Sequence, residues 1–265
     1  MTEVFSRRAV LRGIGHVAAF GTLASSLPEI AHAADGEATY SLSMTYQYGK
    51  KNKFKADRFR DGHVPLLKKI YGDSIERVEL RYAEPPQVKQ GPKQVPVPPQ
   101  FVIAEVSIWI RDVAAFGKLT GEQGGQIVAD LKEVTQASPI VQYDKTLAAL
   151  GSARTDVTVG SSCQTYFFLD KEGGRFDTKY YVDTVLPRMM DLYGPKALRR
   201  IEVCQGAAGQ GGAKPLVLAT THLYIADQSA FFMAGRNVMP QLVAEGPNYT
   251  DIFPVVSQAT VHAVG

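Results

Sequence analysis

Two cysteines and one tryptophan stand among 265 residues. Cys163 and Cys204 form no C-x-x-C pair, so the chain offers no thiolate metal site of familiar spacing. Histidine is sparse, with five in all, and none falls in an H-E-x-x-H pattern. A metal centre is therefore not expected. The chain also lacks an unbroken apolar run of about 20 residues, the length a membrane-spanning helix needs. Neither charge dominates: 29 Lys and Arg stand against 26 Asp and Glu, with no basic patch interleaved with aromatics. That balance excludes a nucleic-acid or membrane-surface footprint. The glycine-rich Gly209-Gln210-Gly211-Gly212 lacks the strand-then-helix setting of a phosphate loop, which excludes a nucleotide reading. No serine or cysteine nucleophile carries a local signature.

What is present begins at the N-terminus. Arg7-Arg8 precede a modestly apolar, glycine-broken run from Gly13 to Leu27, then Pro28 and the small-residue site Ala31-His32-Ala33. This is the order of a signal peptide, and the arginine pair marks the twin-arginine (Tat) type, which departs from its strongest form at Val10 and Arg12. Cleavage is expected after Ala33. The Tat export machinery is then a partner, no stable membrane anchor remains after cleavage, and the location is periplasmic or extracellular.

The remaining chain repeats itself. Phe54, Phe59, Pro65, Ile70-Tyr71-Gly72 and Arg77-Val78-Glu79 recur as Phe176, Tyr181, Pro187, Leu192-Tyr193-Gly194 and Arg200-Ile201-Glu202. Ile108-Trp109-Ile110-Arg111-Asp112 and Pro139-Ile140-Val141 recur as Leu223-Tyr224-Ile225-Ala226-Asp227 and Pro254-Val255-Val256. Each half reads as strand, helix, strand, strand, helix, strand. The first half places strands near 40–48, 75–82, 101–110 and 139–144, with helices near 56–71 and 112–134. The second places strands near 163–170, 198–205, 216–225 and 252–263, with helices near 178–193 and 227–244. Asp112 and Asp227 stand where helix N-caps belong. The connection 83–99 is proline-rich and reads as extended. The expected organisation is a leader (1–33), a first repeat (34–145), a linker (146–161) and a second repeat (162–265). The fold class is α+β: two ferredoxin-like βαββαβ repeats packed sheet to sheet as a dimeric α+β barrel within one chain, with the ligand pocket between the sheets. In that topology Cys163 and Cys204 lie at opposite sheet ends, which excludes a disulfide.

The run from Phe54 to Leu66, an aromatic pair followed by Asp61-Gly62-His63-Val64-Pro65-Leu66, resembles the EthD family of the dimeric α+β barrel superfamily. Phe176-Asp177, Tyr180-Tyr181 and Pro187, with the closing Pro247-Asn248-Tyr249-Thr250-Asp251-Ile252, extend the resemblance to nearly the whole chain after the leader. The resemblance implies an oxidoreductase-type enzyme acting on a small apolar organic molecule. A cofactor-free isomerase or cyclase and a non-catalytic binding or scaffold protein are the alternatives. The cofactor is left open, because a haem held by a single axial histidine needs only one residue.

His63 leads the candidate residues, as a general acid or base, with Asp61 beside it. Helical spacing puts Phe59, His63, Leu66, Leu67 and Ile70 on one face, matched by Tyr181, Val185, Arg188, Met189 and Leu192. Strand alternation sets Val106, Ile108 and Ile110 against the helices. It turns Glu105, Trp109, His222 and Tyr224 towards the pocket as substrate-binding candidates, or as an interface bonded to itself. Arg77, Glu79 and Arg81, with Arg200 and Glu202, read as salt bridges on an exposed or seam-forming edge, or as anchors for an anionic ligand. His262, near the end of the chain, is expected to be incidental.

Overall fold

The computed structural model describes residues 37–48, 53–83 and 101–265. The leader at 1–33 and nearly all of the 83–99 connection lie outside the described residues. Eight strands form one closed antiparallel barrel. They are β1 (Tyr40–Gln47), β2 (Ile75–Tyr82), β3 (Val102–Ile110), β4 (Ile140–Gly151), β5 (Ser162–Leu169), β6 (Leu198–Gly209), β7 (Val217–Ile225) and β8 (Val255–Val264). Around the barrel they run β1-β3-β2-β8-β5-β7-β6-β4 and back to β1. β3 thus lies between β1 and β2, and β7 between β5 and β6. The seams are β2 with β8 and β4 with β6.

The closed barrel agrees with the expected α+β barrel, with all eight strands in one continuous sheet. Edge strands left open would expose unpaired N–H and C=O groups, and closure removes every edge. The β4–β6 seam is the longer of the two, running from Gln142 opposite Gly209 to Gly151 opposite Arg200. For that reason β4 continues well into the segment read as linker. Val261 and Ala263 of β8 face Arg81 and Leu80 of β2, and close the other seam. The apolar cores lie outside the barrel, between strands and helices. One gathers Leu42, Met44, Val106 and Ile108 under Phe59, Leu67 and Ile127; the other gathers Ile201, Leu223 and Ile225 under Tyr181, Met189 and Leu242.

Four helices cover those outer faces. α1 runs through Ala56–Arg58, a π turn at Phe59–His63 and Val64–Tyr71. α2 is Val113–Val134. α3 runs through Thr178–Tyr180, a π turn at Tyr181–Val185 and Leu186–Tyr193. α4 is Gln228–Tyr249. The Asp112 and Asp227 carboxylates accept the Ala115 and Ala230 N–H groups at 2.9 and 2.7 Å, as N-caps do. The π turns were not legible. In them the Val64 N–H reaches the Phe59 carbonyl, and the Leu186 N–H reaches that of Tyr181. One residue is inserted each time, and the buried face shifts by one position. Val64, Leu67 and Tyr71 are buried where Leu66 and Ile70 were expected, and Leu186 and Tyr193 where Arg188 and Leu192 were. Pro65 and Pro187 follow the two turns, and their missing N–H suits a ladder already interrupted.

Cys163 and Cys204 are buried and unbonded to each other. Among the described residues no helix is long and apolar enough to cross a membrane.

Candidate functional site

The inside of the barrel holds charge. Arg77, Glu79 and Arg81 alternate along β2, and Arg200 and Glu202 lie on β6; all five are buried. Of the two expected placements the seam-forming one holds, since β2 and β6 each form a seam; the exposed one does not, because the barrel is closed and their face turns inward. Arg81 donates to Glu79 at 2.6 Å and to Glu105 at 3.0 Å. Arg77 donates to Glu79 at 2.7 Å, and the Tyr224 hydroxyl donates to Glu79 at 2.8 Å. His222 Nε2 lies 2.9 Å from Glu105. A second cluster centres on Glu202, which accepts from Arg154 and Arg200 at 2.8 Å each and from the Trp109 indole at 3.0 Å. The Arg154 guanidinium also covers the Trp109 ring at 4.7 Å, a cation–π distance. Burial alone would raise the carboxyl pKa values, but the guanidinium groups outweigh it. Glu105 is held at about 2 by Arg81 and His222, and Glu202 at about 2 by Arg154 and Arg200.

The four predicted binding residues Glu105, Trp109, His222 and Tyr224 are therefore brought together, but bonded to each other and to arginines. Asp144, also inside, differs. Burial raises its carboxyl pKa from 3.8 to about 7 against the pull of Ser43 and Gln142, and the Gln142 side chain donates to it at 2.6 Å. Its folded pKa lies above the unfolded value, so folding takes up a proton between pH 3.8 and about 7, and stability is lost as pH rises through that window. Asp144→Asn cannot ionise. It is expected to stabilise the protein by roughly 2–4 kcal/mol at pH 8 and to change little at pH 4. Equal shifts in denaturation midpoint at the two pH values would show that Asp144 is not held neutral.

His63 stands on the other side of the sheet, in the helix layer. It is fully buried against Phe59, ring centroids 5.0 Å apart. Its Nδ1 lies 2.7 Å from Asp130 Oδ2, and Arg58 pairs with the other Asp130 oxygen. Burial lowers the imidazole pKa, and Asp130 offsets only part of that. The geometry then fits a neutral ring donating Nδ1–H to Asp130. Nε2 has no partner among the described residues. The expected companion Asp61 does not reach the ring. Two residues away on a helix, it turns to solvent and pairs with Arg60 at 2.7 Å. Asp130 takes its place, and a signal for it existed: Ile127, Asp130, Leu131 and Val134 form one helical stripe with a lone carboxylate in it. His262 is not incidental. Its Nε2 lies 2.9 Å from Asp57 and its ring meets Tyr82 edge-on, which ties β8 to α1. The sheet itself separates His63 from the Glu105–His222 cluster, so the expected composite site divides in two.

Open space lies elsewhere. A cavity of about 640 Å³ sits between α3, α4 and the outer face of β5. Tyr166 and Phe168 of β5 form its floor, and Tyr181 and Met189 of α3 one wall. Leu242, Gly246 and Tyr249 of α4 form the other, and the segment from Thr250 to Pro254 makes the rim. The volume falls within the range of small-molecule sites. Its origin is a missing side chain. α2 and α4 are both 22 residues long behind an Asp cap, so Gly246 holds the place that the buried Leu131 fills in the other helix. A Cβ added at Gly246 meets no atom within 4 Å. At the rim, Arg175 is occupied: its backbone N–H donates to Asp251 at 2.8 Å and its guanidinium to the Asn248 and Pro247 carbonyls. Neither His63 nor His222 lines the cavity, so a haem held by an axial histidine does not fit it.

No family model matches the chain, and no curated protein matches it. Solved structures do. A protein described as a monooxygenase from Fusobacterium nucleatum is 7% identical over 87% of this chain and 95% of its own, with a TM-score of 0.55. The likeness is one of fold, an eight-stranded antiparallel barrel with helices on its outer face. An EthD-like protein from Ralstonia eutropha is 27% identical over 39% of this chain and 93% of its own, with a TM-score of 0.36. An anthrone oxidase-like protein is 11% identical over 87% of this chain and 94% of its own, with a TM-score of 0.49.

Proposed function

We propose that this protein binds a small, largely apolar organic molecule in the cavity between α3, α4 and β5, and that it does so after export in folded form by the twin-arginine route to the periplasm or beyond. The observation that carries the binding reading is the cavity itself: large, walled by aromatic rings and aliphatic side chains, and opened where α4 has glycine instead of leucine. The reading treats the chain as two copies of one βαββαβ unit, of which the second has given up core packing to make room. Oxidoreductase chemistry on the bound molecule would fit the family resemblance. The lining supports binding more directly than turnover, since no histidine or cysteine faces the cavity. The test is titration with N-phenyl-1-naphthylamine, whose fluorescence rises in apolar surroundings, against the unmodified protein and Gly246→Leu. Saturable binding that the substitution removes supports the reading; absence of binding to the unmodified protein overturns it.

A second reading, acid–base catalysis at His63 and Asp130, is favoured by the buried Nε2 left without a partner among the described residues. It requires that ring to open to a reactant. Diethyl pyrocarbonate acylates accessible imidazoles, and His262, whose side chain is 25% exposed, serves as the internal standard. The catalytic reading expects His63 to be modified in the folded protein. Modification of His262 alone would reduce His63 to a structural role.

A further inference from the structure

Resting on the cavity reading above, we infer that Tyr249 is the specificity-determining residue of that cavity, and that its ligand is a neutral, largely apolar molecule bearing one hydrogen-bonding oxygen. Three phenols line the space: Tyr166, Tyr181 and Tyr249. Two are committed. The Tyr166 hydroxyl donates to the Gln164 side-chain oxygen at 3.2 Å. The Tyr181 hydroxyl is 2.9 Å from the Thr221 hydroxyl across the outer face of the sheet. The Tyr249 ring is fixed by its neighbours, 5.0 Å from the Tyr181 ring and 6.0 Å from that of Phe176. Its hydroxyl makes no hydrogen bond to a described residue and, unlike His63 Nε2, is not shut off from solvent.

A hydroxyl open to the cavity can exchange its water for a ligand oxygen, a direct hydrogen bond with a net gain. The matched position at the end of α2 is Val134, buried in an apolar cluster, so packing there needs no hydroxyl. The remaining polar groups at the rim are already engaged. Arg175 is bound to backbone carbonyls and the Asp251 side chain accepts the Arg175 N–H. The Thr250 hydroxyl donates to the Arg175 carbonyl at 3.0 Å and accepts the Ile252 N–H at 2.9 Å. A ligand carboxylate would meet no uncommitted cation, and Asp251 would repel it. A single hydroxyl, carbonyl or ether oxygen on an apolar skeleton would meet Tyr249.

The experiment is displacement of N-phenyl-1-naphthylamine by three probes of one skeleton: naphthalene, 2-naphthol and 2-naphthoate. The unmodified protein is expected to bind 2-naphthol about tenfold more tightly than naphthalene, a typical worth for one hydrogen bond, and 2-naphthoate most weakly. Tyr249→Phe should erase the preference for 2-naphthol and leave naphthalene affinity within about twofold. Tyr71→Phe, whose hydroxyl meets Thr120 away from the cavity, should keep the preference. Equal affinity for 2-naphthol and naphthalene in the unmodified protein, or a preference that survives Tyr249→Phe, overturns the assignment while leaving the cavity reading intact. Failure of the reporter to bind the unmodified protein overturns the cavity reading, and the assignment with it.

Discussion

Glu202→Ala is expected to lower the unfolding free energy by about 3–5 kcal/mol, a large part of the 5–15 kcal/mol typical of a whole domain. Glu202 is fully buried. Its two oxygens accept from Arg154, Arg200 and the Trp109 indole within 3.2 Å. Alanine removes the fully buried anion that both guanidinium groups share, and it leaves the indole N–H without its acceptor. Glu76 and Glu37 still reach Arg154, and Glu37 still reaches Arg200, so the loss is partial for each arginine. Glu202→Gln keeps the shape and one acceptor oxygen and should cost less than alanine. Lys179→Ala, which breaks an exposed i,i+4 pair with Asp183, should cost under about 1 kcal/mol. Urea denaturation measured by circular dichroism separates the three. A Glu202→Ala midpoint close to that of Lys179→Ala would mean that the interior network does not hold the barrel together.

That network also shows where sequence reasoning stops. Alternation along β3 and β7 assigns each residue to a face, and those assignments agree with the clusters around Ile108 and Leu223. Alternation does not say which face meets water. Arginine and glutamate on β2 and β6 read as salt bridges on an exposed or seam-forming edge, or as anchors for an anionic ligand, because alternation alone leaves those placements open. Here each half turns a charged face inward that is largely paired within itself, Arg77 and Arg81 with Glu79 and Glu105, and Arg200 with Glu202, and barrel closure shuts it off from water. The helix caps at Asp112 and Asp227 were legible because the signal is local. The π turns were not, since Pro65 and Pro187 are tolerated in an ordinary first helical turn as well. Asp61 is the expected companion of His63 by nearness in sequence, although a residue two places along a helix points away, and the partner, Asp130, comes from another helix. The two β-strands that form the long seam, β4 and β6, exceed their expected lengths because their ends pair with a distant half, and local pattern does not record that.

Gly246→Leu is expected to weaken reporter binding at least tenfold and to raise stability by about 0.5 kcal/mol, as the gain in packing and helix propensity outweighs the crowding of its Cβ against Pro247. The two effects have opposite signs for one reason. In α2 the matching Leu131 packs into the apolar cluster with Ile127 and Val134, and the sequence there leaves no room for a guest. In α4 the same point on the helix carries no side chain, and outside the adjoining helix nothing lies within 4 Å of an added Cβ. The helix is also broken in its donor ladder by Pro240 and Pro247, so it gives up stability on the side that faces the cavity. A leucine there would restore the packing of the other half and occupy the space that a ligand needs. Gly246→Ala should lie between, with most of the gain in helix propensity and little loss of binding. Thermal denaturation and the fluorescence titration, run on the same three preparations, test both signs together. Binding that is unchanged in a stabilised Gly246→Leu protein would place the ligand somewhere other than this cavity. Binding lost with stability lost would mean only that the helix had been damaged, and the alanine variant would then decide whether volume or folding was at fault.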